Sequence, residues 1–211
     1  MRISVIGAGP VGAGVAAAAV KAGHEVVLTS RRAEHAEAVA VDVGARPAAT
    51  PDAAADGADM VVLAVPSTAV ADVCDRIRRH VTGKIVVDPT NPLEPDLSGL
   101  LDATRSVAEV IAALLPGASV VKAFNTVLGS RLTDPVVDGV RLDGLYAGDD
   151  PEATAAVAEL VAAMGFRPLD AGPLRAARSL EHLAFLNVSL NARHGWSWSS
   201  GWKLLGDTGG G

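Results

Sequence analysis

The sequence predicts an α/β protein: a doubly wound parallel sheet with helices on both faces and a small helical cap at its C-terminal end. Three observations carry that prediction. Strand-length apolar runs alternate with helical segments along almost the whole chain. Several of these runs are apolar throughout, as in DMVVLAV at 59–65, which suits a parallel strand covered on both faces. The 211 residues are 49% hydrophobic and 20% charged, which supplies a good-sized core at about the length of one domain.

The elements follow in order. A strand over 3–6 leads into Gly7-Ala8-Gly9-Pro10-Val11-Gly12 and a helix of small residues that runs to about Ala22, with Gly23 as its stop. HEVVLT at 24–29 is a second strand, 32–43 a helix, 46–50 a short extended piece and 51–57 a short helix. After the strand at 59–65 comes a helix over 68–80 with Ser67 as N-cap. KIVVD at 84–88 is a strand, and two prolines in the four residues Pro89 to Pro92 exclude regular structure beyond it. A helix over 106–115 ends at Pro116-Gly117, followed by strands at 119–124 and 143–148. The helix over 151–164 has Pro151 in its first turn, Asp150 as N-cap and Gly165 as its close. A strand at 166–170 and a long helix over 174–194 precede a Trp-rich, then Gly-rich tail.

Leu183, Leu186 and Leu190 recur at helical spacing and are expected to pack on the subunit or a dimer partner, whereas Asn187 and Asn191 either pair across an interface or face solvent. Trp196, Trp198 and Trp202 either bury a contact or seat an aromatic ring. Residues 1–170 are read as a dinucleotide-binding domain and 171–211 as a cap or dimer element, too small for a separate substrate domain.

Composition narrows the function. A net charge of −6 argues against a phosphate-backbone partner, so no nucleic acid is expected. The lone cysteine, Cys74, permits no intrachain disulfide, and five scattered histidines give no ligand spacing, so no metal is expected. The longest apolar run, 11–20, is too short and too rich in Ala and Gly to span a bilayer. Met1-Arg2 leads straight into a strand with no leader pattern. A cytoplasmic protein with no membrane partner is the expectation.

The glycine pattern Gly7-x-Gly9-x-x-Gly12 lies between a strand and a helix, the context of a Rossmann dinucleotide site. Gly7 permits the tight turn, Gly9 lets the backbone approach a pyrophosphate, and Gly12 lets the helix approach the sheet; Pro10 and Val11 complete the loop. The end of the second strand selects the cofactor. An NAD site usually has an acid there for the ribose 2′-hydroxyl, but this chain has Thr29-Ser30-Arg31-Arg32, with no carboxylate before Glu34. Two guanidiniums and two hydroxyls fit a 2′-phosphate, so NADP(H) is expected.

Three further strand ends open on the same edge: Ala64-Val65-Pro66 along the nicotinamide ribose, then Asn91 and then Asn125-Thr126 near the ring. Asn91 and Asn125 are also ordinary turn formers. The chain has no Tyr-x-x-x-Lys pair, Tyr146 falls inside a strand, and Lys122 precedes Asn125 in a structural or surface role. The absence of an acid–base residue favours hydride transfer between two ring systems over ketone reduction.

With those residues in place, the sequence resembles the NADPH-dependent reductases of coenzyme F420. The matching stretches are GHEVV at 23–27 running into Ser30-Arg31-Arg32, DPTNPL at 88–93, RSVAE at 105–109, VKAFNT at 121–126, DAGPL at 170–174 and SGWKL at 200–204. The resemblance implies a homodimer in which F420 lies against the nicotinamide and hydride passes between nicotinamide C4 and deazaflavin C5. It implies that Ser30, Arg31 and Arg32 hold the 2′-phosphate, that Val65 and Pro66 line the nicotinamide, and that Asn125 and Thr126 flank the deazaflavin. Asn125-Thr126 is also similar to the Asn-Thr of NADPH-dependent metalloreductase domains. The alternatives to F420 are reduction of a flavin, a metal chelate or an imine, or a non-catalytic NADP(H)-sensing module.

Overall fold

Described for residues 1–102 and 104–206, the computed structural model centres on one eight-stranded sheet. The chain runs β1 (Arg2–Ile6), α1 (Pro10–Lys21), β2 (Glu25–Thr29), α2 (Ala33–Val43), β3 (Arg46–Pro47), α3 (Pro51–Ala55), β4 (Met60–Leu63) and α4 (Val70–Ile77). It continues with β5 (Ile85–Asp88), α5 (Val107–Leu114), β6 (Ser119–Ala123), a hairpin of β7 (Val136–Val137) and β8 (Val140–Arg141), β9 (Asp143–Gly148), α6 (Pro151–Ala163), β10 (Arg167–Asp170) and α7 (Ala177–His194).

The sheet order is β3-β2-β1-β4-β5-β6-β9-β10. Its first six strands are parallel, with the reversal of winding between β1 and β4 that marks a Rossmann fold. The predicted doubly wound parallel sheet is present, with one antiparallel pairing at its end: β9 pairs antiparallel with β6, and β10 runs parallel to β9. The reason is the connection. No helix carries the chain back across the sheet after β6. The segment 124–142, with a 3-10 turn at Gly129–Arg131 and the β7–β8 hairpin, stays at the carboxyl edge, so β9 enters from that edge.

Alternate residues of each strand feed two cores. Ile3, Val5, Met60, Val62, Val87 and Val121 pack under α1 and α6 with Val15, Ala16, Val157 and Leu160. Ile6, Val61, Leu63, Val86 and Val120 pack under α4 and α5 with Cys74, Ile77, Ala108 and Ile111. This is why the strands read as apolar on both faces.

Local chemistry sets the helix ends. Asp150 caps α6 by accepting from the N–H groups of Glu152 (2.9 Å) and Ala153 (3.2 Å), with Pro151 in the first turn. Ser106 and Glu109 form a capping box on α5. Ser67 makes no cap. It begins a 3-10 turn, Ser67–Ala69, and α4 starts only at Val70.

The tail also departs from expectation. The buried side of α7 is Leu180, Ala184, Asn187 and Asn191, while Leu186 is exposed. Asn187 and Asn191 pair within the subunit: Asn191 Nδ2 donates to Asn187 Oδ1 and to Ser200 Oγ, and Ser200 Oγ donates to Asn187 Oδ1. The tail is then tied down along 130–143. Ser130 Oγ donates to the Trp198 carbonyl, Arg131 Nε to that of Ser199, and Asp143 N–H to that of Trp202. Trp196 and Trp198 remain substantially exposed.

Candidate functional site

The carboxyl edge of the parallel strands opens into a cavity of about 860 Å³ lined by Gly7 to Gly9, Thr29 to Arg32, His35, Ala64 to Pro66 and Arg76. Beside it lies a smaller one of about 230 Å³, lined by Gly9 to Gly12, Ala64, Val65 and Pro89 to Asn91. The two share Gly9, Ala64 and Val65, so one cleft crosses the glycine loop.

The three glycines do different work. Gly7 has φ +117°, and a Cβ there would stand 1.9 Å from the Ala64 carbonyl oxygen. A Cβ on Gly12 would stand 1.9 Å from the Gly7 carbonyl oxygen. Both are demanded by the turn and by the packing of α1. Gly9 is different: a Cβ there would meet nothing within 4 Å, and its φ is an ordinary −75°. The fold places no demand on Gly9, and the space over it belongs to the cleft. Gly9 also caps α1 without a side chain, and the first turn of α1 holds no acid, so its orphan N–H groups remain available to an anion.

At the wide end, Arg31 and Arg32 are exposed and no carboxylate of the described residues lies within ion-pair distance of either. Ser30 Oγ donates to the Arg32 carbonyl and shapes this turn. Thr29 is fully buried and its Oγ1 has no partner. Sequence reasoning missed several lining residues here, among them His35, Asp72 and Arg76. His35 Nε2 donates to the Ala8 carbonyl at 3.0 Å, tying α2 to the glycine loop; a histidine one turn into the second helix was the only signal. Arg76 reaches the same cavity from α4, and its sequence neighbours give no hint of that.

At the narrow end the structure brings Asn91 and Asn125 together. Asn91 Nδ2 donates to the Asn125 carbonyl (2.8 Å), and Asn125 Nδ2 donates to Asn91 Oδ1 (2.9 Å). Phe124 makes this clasp possible by turning the chain after β6 with φ +65°, a left-handed conformation uncommon for a bulky side chain. Asn125 Oδ1 and Thr126 Oγ1 are buried without partners. Neither residue lines the two cavities; of this predicted group only Asn91 does, and Asn125 stands behind it.

Behind the clasp lies a buried charge cluster. Lys122 is fully buried, so the surface reading is excluded, and its Nζ lies 2.8 Å from Asp88 Oδ2 and 2.7 Å from Glu181 Oε1 of α7. Burial pushes the Glu181 carboxyl above its usual range and Asp88 adds to the rise, with Lys122 and the Val107 N–H opposing it. Tyr146 lies in the core. Among the described residues no cluster of metal-ligating side chains occurs.

Residues 2–92 match the family described as NADP oxidoreductase, coenzyme F420-dependent. The chain is 36% identical to the F420-dependent NADP reductase of Methanothermobacter thermautotrophicus, over 92% of this chain and 90% of that one. It is 32% identical to Metalloreductase STEAP3 of Rattus norvegicus over 85% of this chain, which is 36% of that longer protein. A crystal structure of a proposed F420-dependent NADP reductase from an Arthrobacter species superposes with a TM-score of 0.87 at 29% identity, covering 97% of this chain and 100% of that one.

Proposed function

The chain belongs to the coenzyme F420-dependent NADP oxidoreductases, and on that premise we propose that it passes a hydride between NADP(H) and the deazaflavin ring of F420. The observation that carries the reading is the cleft itself, with an unpaired basic end, an open backbone over Gly9 and a narrow end lined by Thr90 and Asn91.

Each part of the chain then has a task. Arg31 and Arg32, with Thr29 and Ser30, hold the 2′-phosphate. Gly7, Gly9, Pro10, Val11 and Gly12 let the first turn of α1 meet the diphosphate. Ala64, Val65 and Pro66 wall the nicotinamide ribose. Asn91, Asn125 and Thr126 orient the two rings and exclude water. When bound, NADPH supplies hydride from nicotinamide C4 and F420 takes it at deazaflavin C5, with a proton drawn from solvent. No side chain has to act as acid or base, so what the residues contribute is positioning.

Residues 1–170 form the nucleotide-binding part in this reading, and 171–211 the cap. Leu186, Trp196, Trp198 and Leu204 are exposed, and we assign these apolar side chains to a homodimer contact, which sedimentation equilibrium measures. No helix of the described residues is long and apolar enough to cross a membrane, and we place the protein in the cytoplasm.

Turnover with NADPH and oxidised F420 tests the reading. Loss of the deazaflavin absorbance with NADPH, and much slower loss with NADH, is expected. The likeness to Metalloreductase STEAP3 supports a second reading, reduction of a metal chelate. Reduction of a ferric chelate by NADPH with F420 left oxidised would favour it, and NADPH binding without turnover of either acceptor would favour a sensor.

A further inference from the structure

Lys122 uses all three of its ammonium donors: Asp88 Oδ2 at 2.8 Å, Glu181 Oε1 at 2.7 Å and the Thr90 carbonyl at 2.6 Å. Asp88 stands opposite Lys122 in the β5–β6 ladder, and its other oxygen accepts from both the N–H (2.9 Å) and the hydroxyl (2.6 Å) of Thr90. Thr90 is therefore held at its nitrogen, its carbonyl and its side chain. It lines the narrow cavity, and the next residue, Asn91, makes the clasp with Asn125. The third arm comes from 59 residues away: Glu181 Oε1 also accepts the Val107 N–H at the first turn of α5.

One cation and two carboxylates in a dry interior are a poor means of stabilising a fold, since apolar side chains of similar volume often do as well or better. What the cluster supplies instead is direction. It fixes where the loop after β5 stands relative to the loop after β6, and it makes that placement depend on the seating of α7.

We propose that Lys122 is a positioning residue for hydride transfer, one that sets Thr90 and Asn91 against Asn125 at the ring end of the cleft and couples that end to the C-terminal helix through Glu181. The proposal rests on the reading of the cleft as the hydride-transfer site. Lys122 touches neither ring in this account and acts through Thr90 and Asn91.

Two variants test it. Lys122→Met removes the ammonium and leaves both carboxylates buried. Lys122→Met/Glu181→Gln keeps the formal charge of the cluster at its original value and keeps an acceptor for Val107, so it stands the better chance of folding. The adenine half of the cofactor is probed with 2′,5′-ADP, which carries the 2′-phosphate but no nicotinamide. In each variant that folds, the Kd for 2′,5′-ADP should stay within about twofold, because Arg31, Arg32 and the glycine loop are untouched. With F420, kcat should fall by about tenfold or more, the scale of a misplaced reacting group, and the primary isotope effect from NADPH deuterated at C4 should rise. The affinity for NADPH relative to 2′,5′-ADP should fall as well.

Unchanged kcat per folded molecule and an unchanged affinity ratio, with only a lower Tm, would overturn the proposal. So would failure of the charge-matched double variant to fold, since the cluster would then serve the fold itself. If the wild-type protein leaves F420 oxidised, the acceptor reading fails on its own. The NADPH-to-2′,5′-ADP affinity ratio then decides the positioning role: a fall in the variants supports it and no change overturns it.

Discussion

Gly9 and Gly12 read as equivalent members of one motif, yet their surroundings separate them. A Cβ on Gly12 would collide with the Gly7 carbonyl, whereas a Cβ on Gly9 would enter empty cleft. Gly12→Ala should therefore lower the Tm, because the start of α1 must move. Gly9→Ala should fold with a wild-type melting curve and lose NADPH affinity, because only the cofactor needs that space. Paired melting and binding titrations check this, and loss of stability in Gly9→Ala would contradict it. Arg31→Ala with Arg32→Ala makes the companion test at the basic end. Charge-assisted hydrogen bonds contribute about 1.5–3 kcal/mol each, so losing two should weaken NADPH binding by about 100-fold or more and leave NADH almost unchanged. Equal losses for both cofactors would mean that the arginines do not read the 2′-phosphate.

The join between α5 and α7 is an acid-sensitive latch. Glu109 accepts both hydrogen bonds of the Arg178 guanidinium and those of the Ser106 N–H and hydroxyl. With Arg178 the largest cause, its carboxyl is held down to about 2. A depressed folded-state value means that the contribution to stability is complete above the ordinary carboxylate range and is lost as pH falls toward about 2. Melting curves from pH 5 to pH 2 should show the wild type losing a margin over Glu109→Gln that it holds at neutral pH. A margin that does not shrink with acid would contradict this origin.

At this same scale the sequence was most readable and also misled most. Strand and helix positions follow from runs of apolar residues and from caps such as Asp150, both of them local signals. The direction of β9 depends on a connection that lacks a helix, and no periodicity in 143–148 encodes it. The β7–β8 hairpin has a local signal: VVDGVR carries the Asp-Gly pair of a tight turn, and Asp138 and Gly139 take φ +50° and +78°. Leu186 follows the spacing of a core leucine, but α7 presents its asparagines inward, where Asn187, Asn191 and Ser200 of the tail hydrogen-bond one another.

Across the whole molecule, double winding gathers distant loops at one edge, which is why residues as far apart as Gly9, Arg31 and Val65 line one cavity. The hidden part of the site was the support behind it. Lys122, Asp88 and Glu181 come from three elements, and Lys122 looks in sequence like any strand lysine. β9 and β10 are joined by the Arg167–Asp143 ion pair and by apolar packing on α6. Phe166 is fully buried against α6, and Phe166→Ala should cost about 3–5 kcal/mol by denaturant unfolding. A loss under 1 kcal/mol would mean that β9 and β10 do not unfold with the rest.

Direct hydride transfer across the cleft is tested by incubating the protein with oxidised F420 and NADPH deuterated at either face of C4, then measuring deuterium in the reduced deazaflavin by mass spectrometry. Transfer from one face, with solvent hydrogen absent from C5, is the predicted result. Reduced F420 whose C5 hydrogen comes from water, or no reduction despite tight NADPH binding, would contradict it.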